Sequence, residues 1–175
     1  MTYLPTLNRN NQRNTNMKNI FTLAATSLVM MTTFDAMAQD ARSPSYVYAG
    51  PTVGAALNQG ALDVGALVGY QFNRYVRGEA DFDHVVSTQP YSSNYLTGNA
   101  IVQYPISGLR LTPYALAGLG YQWQNGLNQG VWNVGGGART ALTPNADLDL
   151  RYRYIQGMTN QTNENVVTMG TTIRF

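Results

Sequence analysis

Charged side chains recur at every second residue in two stretches of this sequence. Glu79 and Asp81 alternate with small and aromatic residues in the first stretch, and Arg151 and Arg153 alternate with tyrosines in the second. Residues two apart on a β-strand point to the same face, so each stretch would carry its charges on one face. Carboxylates and guanidinium groups that face one another form ion pairs. With Arg139 projecting from a neighbouring segment, we predict one ion-pair network that contains Glu79, Asp81, Arg139, Arg151 and Arg153.

The predicted network has two interpretations that the sequence leaves open. In the first, the charges form a structural plug through which nothing passes. In the second, they form a gate, and breaking one pair lets ions or small solutes cross. Both interpretations need Glu79 and Asp81 to meet the arginines in an enclosed space, because buried ions are tolerated only when they are paired.

The one histidine, His84, stands beside Asp83 and close to Ser87, which are the residue types of a hydrolase site. A nucleophile needs a base within hydrogen-bond reach and a third group that orients the base. The segment DHVVS lies in a predicted loop and supplies only the residue types, and the chain has no Gly-x-Ser-x-Gly motif. With a single histidine and no cysteine, a metal centre is not expected either. We therefore predict no catalytic residues, no metal and no cofactor, and a protein that is not an enzyme.

The charged stretches belong to a longer pattern of period-two alternation, which is typical of β-strands with two different faces. The pattern predicts eight strands, at 46–57, 61–72, 75–83, 94–104, 111–123, 131–142, 147–154 and 165–175. A tilted membrane-spanning strand needs about 9–11 residues, and bacterial barrels use even strand numbers. The predicted fold is all-β, an eight-stranded antiparallel up-and-down transmembrane β-barrel. Tight connections at 73–74, 105–110 and 143–146 would be periplasmic turns, and longer ones at 84–93, 124–130 and 155–164 would be outer loops.

The distribution of side chains decides which face of the strands contacts lipid. The polar face carries too many charges for a dry core, because each unpaired buried ion costs several kcal/mol. Aromatic residues gather at the strand ends of the apolar face, as in the two interfacial girdles of a membrane barrel. The lower girdle would contain Tyr70, Phe72, Tyr104 and Phe175, and the upper one Phe82, Tyr121, Trp123, Trp132 and Tyr154. We therefore predict an apolar exterior and an enclosed charged interior.

The N-terminal region divides into two parts that precede the barrel. Residues 17–38 have a lysine, an apolar run and an Ala-Met-Ala cleavage site, as in a signal peptide. Residues 1–16 are polar and would be an upstream extension outside the fold, with Met17 as the true start. The barrel domain would then be 39–175. This part has eight arginines, eight acidic residues and no lysine, so a nucleic-acid partner is not expected.

Three segments resemble a known family. VGYQFNRYVRGEADFD, RTALTPNADLDLRYRYI and the terminal IRF are similar to hairpins and to the C-terminus of small outer-membrane β-barrels. These barrels are related to the transmembrane domain of outer membrane protein A and include porin-family and opacity-like proteins. The resemblance covers about 45–175. It implies that Ile173 and Phe175 belong to a C-terminal signal that the barrel-assembly machinery reads.

The expected location is the outer membrane of a Gram-negative cell, with outer-membrane lipids and lipopolysaccharide as neighbours of a monomeric barrel. The expected role is structural, in envelope integrity, or that of a narrow porin. Two other classes stay open: a lipid-modifying outer-membrane enzyme, and an adhesin-like surface binder that acts through its outer loops. The peptidoglycan-binding domain of larger family members has no counterpart here, so anchoring to the cell wall is not expected.

Overall fold

The alternating segments form strands throughout the part of the chain that the structure describes. The computed structural model describes residues 45–86, 92–106, 110–124, 126–159 and 162–175. The strands are β1 (Tyr46–Ala56), β2 (Ala61–Gln71), β3 (Val76–Val86), β4 (Ser93–Gln103), β5 (Leu111–Gln124), β6 (Leu127–Thr143), β7 (Ala146–Gly157) and β8 (Asn163–Arg174). The predicted extension 1–16 and signal peptide 17–38 lie outside the described residues.

Each strand pairs antiparallel with the next one, and β1 also pairs with β8, which closes the barrel. The predicted eight-stranded, up-and-down architecture is confirmed. Because the number of strands is even, Tyr46 and Phe175 lie at the same end of the barrel, which we call the terminal end. The connections 57–60, 87–92, 125–126 and 158–162 lie at the other end, which we call the distal end.

The closing seam between β1 and β8 has a local irregularity. The ladder pairs Ala49 with Ile173 and Thr52 with Gly170, but Gly50 and Pro51 between them have no paired residue in β8. Proline has no N–H to donate. At Gly50 the two backbones approach so closely that a Cβ atom would collide with the carbonyl group of Thr171. Glycine is therefore required where the seam is tightest.

Several predicted boundaries are wrong, and so is the predicted difference in loop length. β3 continues to Val86, whereas the prediction ended it at residue 83. β5 and β6 meet across 125–126, where Gly126 has a φ of 81°, and the predicted loop 124–130 does not exist. Its polar residues were misleading because Gln122 and Gln129 pair across β5 and β6 with buried side chains. The longest connection, 104–110, lies at the terminal end.

The two faces of the barrel differ in polarity as predicted. Large apolar side chains are exposed on the outer face, among them Val68, Leu119, Val102 and Leu150. The predicted girdle residues lie on this face too, and neighbours such as Tyr121 and Trp123 make edge-to-face contacts at 5.2 Å between ring centroids. The inner face carries the buried charged residues. The prediction of an apolar exterior is confirmed.

No helix in the described ranges has the length and hydropathy needed to cross a membrane.

Candidate functional site

A charged layer fills the middle of the barrel interior. Arg151 of β7 extends toward β3, which lies four strands away around the ring. Its Nη1 donates to Glu79 Oε1 at 2.5 Å and to Asp81 Oδ2 at 2.8 Å. All three side chains are buried, with exposed fractions of 3% or less. Gly69 and Gly137 leave room in this layer, because a Cβ atom at either position would collide with the side chain of Tyr48 or of Tyr114.

Arg153 adds a second bridge on the distal side of Arg151. Its Nη1 lies 3.2 Å from Asp81 Oδ2, and its Nη2 lies 2.8 Å from Asp83 Oδ2. Asn99 of β4 also donates to Asp81 Oδ2, at 2.9 Å. Asp81 therefore lies between two arginines, and the carboxylates of β3 alternate in space with the guanidinium groups of β7.

Two buried tyrosines complete the hydrogen bonding of this layer. The Tyr48 hydroxyl donates to Glu79 Oε2 at 3.0 Å, and the Tyr114 hydroxyl donates to Asp149 Oδ1 at 2.7 Å. Tyr114 also accepts a hydrogen bond from Arg151 Nε at 3.0 Å. These two tyrosines were not among the predicted network residues. Their position in the alternation, in step with the charged residues of neighbouring strands, is the signal that could have found them.

Arg77 lies beside the charged layer without an ion pair in the described part of the chain. Its side chain is buried, and its guanidinium carbon lies 5.0 Å from the ring centroid of Tyr48 and 5.4 Å from that of Tyr114. None of its three side-chain nitrogens has a hydrogen-bond partner among the described residues. Two cation–π contacts therefore hold this charge.

Arg139 does not join the network, and this part of the prediction is wrong. Its Nη2 donates to Gln103 Oε1 at 2.8 Å, and its Nε lies 3.6 Å from Asp147 Oδ2. Arg174 binds the same carboxylate through Nη2 at 2.5 Å and Nε at 3.1 Å. The reason is the register: Arg139 is paired with Asp149, nearer the terminal end than Arg151 is. The structure thus brings together four of the five predicted network residues.

An apolar layer lies in the interior on the distal side of the charges. The prediction of an enclosed charged interior did not include this layer. Its members are inward-facing residues near the distal ends of seven strands: Ala56, Ala61, Val85, Tyr95, Val131, Ile155 and Val166. Each has an exposed fraction of 4% or less. Because each of these strands contributes only one of them, no single stretch of sequence indicated that they form a layer.

The residues around His84 do not assemble as a catalytic group. His84 lies within β3, not in a loop as predicted, and its Nδ1 is 2.7 Å from Asn94 Oδ1. Asp83 is buried in the interior, and adjacent strand residues point to opposite faces, so Asp83 does not orient the imidazole. Ser87 lies outside the described residues. Within the described ranges, no group of three or more His, Cys, Asp or Glu residues could hold a metal ion.

The predicted C-terminal signal lies at the terminal end of the seam. Phe175 is exposed on the outer face, and its backbone N–H donates to the carbonyl of Val47 at 2.9 Å. Ile173 is half-buried and pairs with Ala49 of β1 and Ala146 of β7. The aromatic terminus is therefore presented at the edge of the apolar exterior.

A closed antiparallel barrel with an apolar outer face and charges sealed inside is a transmembrane barrel, because only lipid favours that arrangement. The chain belongs to the family of the outer membrane protein beta-barrel domain, whose sequence model matches residues 26–175. The predicted location in the outer membrane is confirmed.

Solved structures share this fold at low sequence identity. The N-terminal barrel domain of Pseudomonas aeruginosa OprF has a TM-score of 0.63 at 19% identity, over 76% of this chain and 98% of that one. Neisserial surface protein A gives 0.61 at 19% identity, over 76% and 98%. The outer membrane enzyme PagL gives 0.53 at 11% identity, over 73% and 99%. No curated protein sequence matches the chain. At these identities the likeness concerns the fold alone.

Proposed function

We propose that this protein is a closed, structural barrel that contributes to the integrity of the outer membrane and carries no constitutive flux. The observation that carries the proposal is the position of Arg151, which crosses the interior to Glu79 and Asp81 while buried. A small eight-stranded barrel has an interior just wide enough for side chains to fill. Here the side chains that fill it are also held to one another by ion pairs.

The interior contains two different barriers in series. An ion that entered from the terminal end would have to displace the charged layer, in which each carboxylate already has a cation. It would then meet the buried apolar layer of Tyr95, Val131, Ile155 and their neighbours, which fills the distal part of the interior together with buried polar side chains such as Gln122. Hydrophobic constrictions exclude ions because the ions lose hydration there. The two layers together support a plug, and they weigh against the narrow-pore interpretation.

Single-channel recording in planar bilayers tests the proposal. We expect no conductance steps from the wild-type barrel and none from Glu79→Ala, because the apolar layer stays in place in that variant. Arg139→Ala is the matched control, since Arg139 is buried and charged but lies outside the network. Regular steps from the wild-type protein would contradict a closed barrel. If Glu79→Ala gives conductance steps and the other two proteins do not, the ion-pair network acts as a gate and not as a plug.

We propose no enzymatic activity for this chain. The support is the separation of His84 and Asp83 onto opposite faces of β3. A purified preparation that removes acyl chains from lipopolysaccharide, and loses that activity in His84→Ala, would reverse this conclusion. The adhesin alternative predicts instead that cell binding is lost when the connections at the distal end are shortened.

The partners that we propose follow from the membrane location. Outer-membrane lipids and lipopolysaccharide would surround a monomeric barrel, and the barrel-assembly machinery would engage Ile173 and Phe175 during insertion. The exposed ring of Phe175 supports the last point. Replacing Phe175 with alanine should reduce insertion in cells while leaving refolding into detergent unchanged. If insertion in cells and refolding into detergent fall by the same amount, the ring of Phe175 has a structural role.

A further inference from the structure

The terminal end of the barrel opens into a cavity of about 440 Å³ that the ion-pair network does not use. Three arginines line it, Arg110, Arg139 and Arg174, together with Thr112 and a single carboxylate, that of Asp147. A cavity of this size is within the range of small-molecule sites. Its lining charges carry an excess of two positive charges, in contrast to the paired charges of the middle layer.

The one carboxylate in the cavity is already engaged. Arg174 takes both oxygens of Asp147, through Nη2 and Nε. Arg139 reaches the same group only at 3.6 Å, through Nε. Asp147 therefore neutralises one guanidinium group well and the second weakly, and it leaves Arg110 at the exposed rim of the cavity with no ion pair in the described part of the chain.

Arg139 carries a donor that the protein does not satisfy. Its side chain has an exposed fraction of 6%, and Nη1 is buried without a hydrogen-bond partner among the described residues. A buried donor on a charged group is costly when it has no acceptor. The planar guanidinium group is suited to binding two oxygens of one anion. Because Arg139 lines the cavity, an anion there would meet its guanidinium group and would meet Arg110 at the rim.

We propose that the terminal-end cavity binds a phosphate group, with Arg139 as the buried donor and Arg110 as the rim donor. Phosphate fits better than a carboxylate because its oxygens could accept from both arginines at once. The group could come from a soluble phosphate ester or from the headgroup of a phospholipid, since the cavity opens at the level of the lower aromatic girdle. The site is separate from the plug, and it would persist if the barrel proved to be a gated pore.

Nuclear magnetic resonance of the refolded barrel in phosphate-free maltoside micelles tests the proposal, with inorganic phosphate as the probe. The Nε–H signal of Arg174 is followed, because this residue lines the cavity and is kept in every variant. We expect a saturable shift whose affinity falls about tenfold in Arg139→Gln and about threefold in Arg110→Gln. Arg74→Gln is the matched control, an exposed arginine at the same end but outside the cavity, and should bind as the wild type does.

The second arm of the experiment identifies the source of the phosphate. The barrel is placed in phosphatidylcholine nanodiscs, and inorganic phosphate is added. If the site binds a soluble phosphate ester, the added phosphate should shift the Arg174 signal as it does in micelles. If the site binds a lipid headgroup, the signal should already have its phosphate-bound position and should not move. The proposal is overturned if chloride at equal ionic strength gives the same shift, or if Arg74→Gln loses as much affinity as Arg139→Gln. Arg110→Gln keeps the test valid should Arg139→Gln fail to fold.

Discussion

Arg151→Met tests whether the buried ion pairs hold the barrel together. The substitution keeps a long side chain but removes the donors to Glu79, to Asp81 and to the Tyr114 hydroxyl. Glu79 then keeps the hydrogen bond from Tyr48 but loses its cation, whereas Asp81 keeps Arg153. Removing one partner of a buried pair costs about 3–5 kcal/mol. We expect a loss of about 3 kcal/mol in the free energy of unfolding. Glu79 is then left without a cation, whereas Asp149, which lies 3.6 Å from Arg151 Nε, keeps the hydrogen bond from the Tyr114 hydroxyl.

Part of the stability lost in Arg151→Met should return when the unpaired carboxylate of Glu79 is also removed. Adding Glu79→Gln to Arg151→Met takes away the buried, unpaired carboxylate, and we expect about half of the lost stability to return. Arg139→Met should cost less than Arg151→Met, because Asp147 keeps its two bonds to Arg174. Arg74→Met, at an exposed position with only a cation–π contact to Tyr75, should change stability by less than about 1 kcal/mol.

The assay is urea-induced unfolding of the barrel in lipid vesicles, followed by tryptophan fluorescence and by the mobility of unheated samples on SDS gels. A loss below about 1 kcal/mol for Arg151→Met would refute the reasoning, because the pairs would then behave like exposed ones. Equal losses in Arg151→Met and Arg74→Met would refute it as well. If adding Glu79→Gln makes the protein still less stable, the unpaired carboxylate of Glu79 is not the cause of the lost stability.

The remaining predictions concern packing, the seal and the membrane state. Gly69→Ala should cost about 1–3 kcal/mol by urea unfolding, because its Cβ would collide with the buried Tyr48 ring. Gly98→Ala should be near neutral, because its Cβ would make only an ordinary contact with the Leu119 carbonyl oxygen. Serine at both Val131 and Ile155 should raise bilayer conductance above the wild-type level if the apolar layer is the seal; unchanged recordings would refute this. Unheated samples should migrate differently from boiled ones on SDS gels, and identical bands would contradict a folded membrane barrel.

The apolar layer and the β5–β6 hairpin illustrate what the sequence left undetermined. The run QNGLNQG is typical of a loop by composition, yet Gln122 and Gln129 lie opposite each other in a ladder and Gln129 Nε2 donates to Gln122 Oε1 at 2.9 Å. Their amides face the inside of the barrel, where polar residues are favoured. Composition could not separate a solvated loop from a polar inner face, because both environments satisfy the same hydrogen-bonding groups.

The pairing of charges shows the same limit. The alternation placed Glu79, Asp81, Arg151 and Arg153 on inner faces, and it also placed Arg139 there. It could not state the height of each residue along the barrel axis, which depends on the stagger between strands that are far apart in sequence. Arg139 consequently meets Asp147 and Gln103 near the terminal end.

The number of strands, the barrel and its apolar exterior were all predictable from the pattern of residues. A period-two pattern with charges on one face and aliphatic and aromatic residues on the other has one stable arrangement in lipid, because the backbone must be fully paired and the ions must be enclosed. Three features could be known only from the folded barrel: which carboxylate meets which arginine, where the apolar layer lies, and that Arg139 lines a cavity. Those outcomes depend on the register and stagger of strands, which are set by the closure of the whole ring.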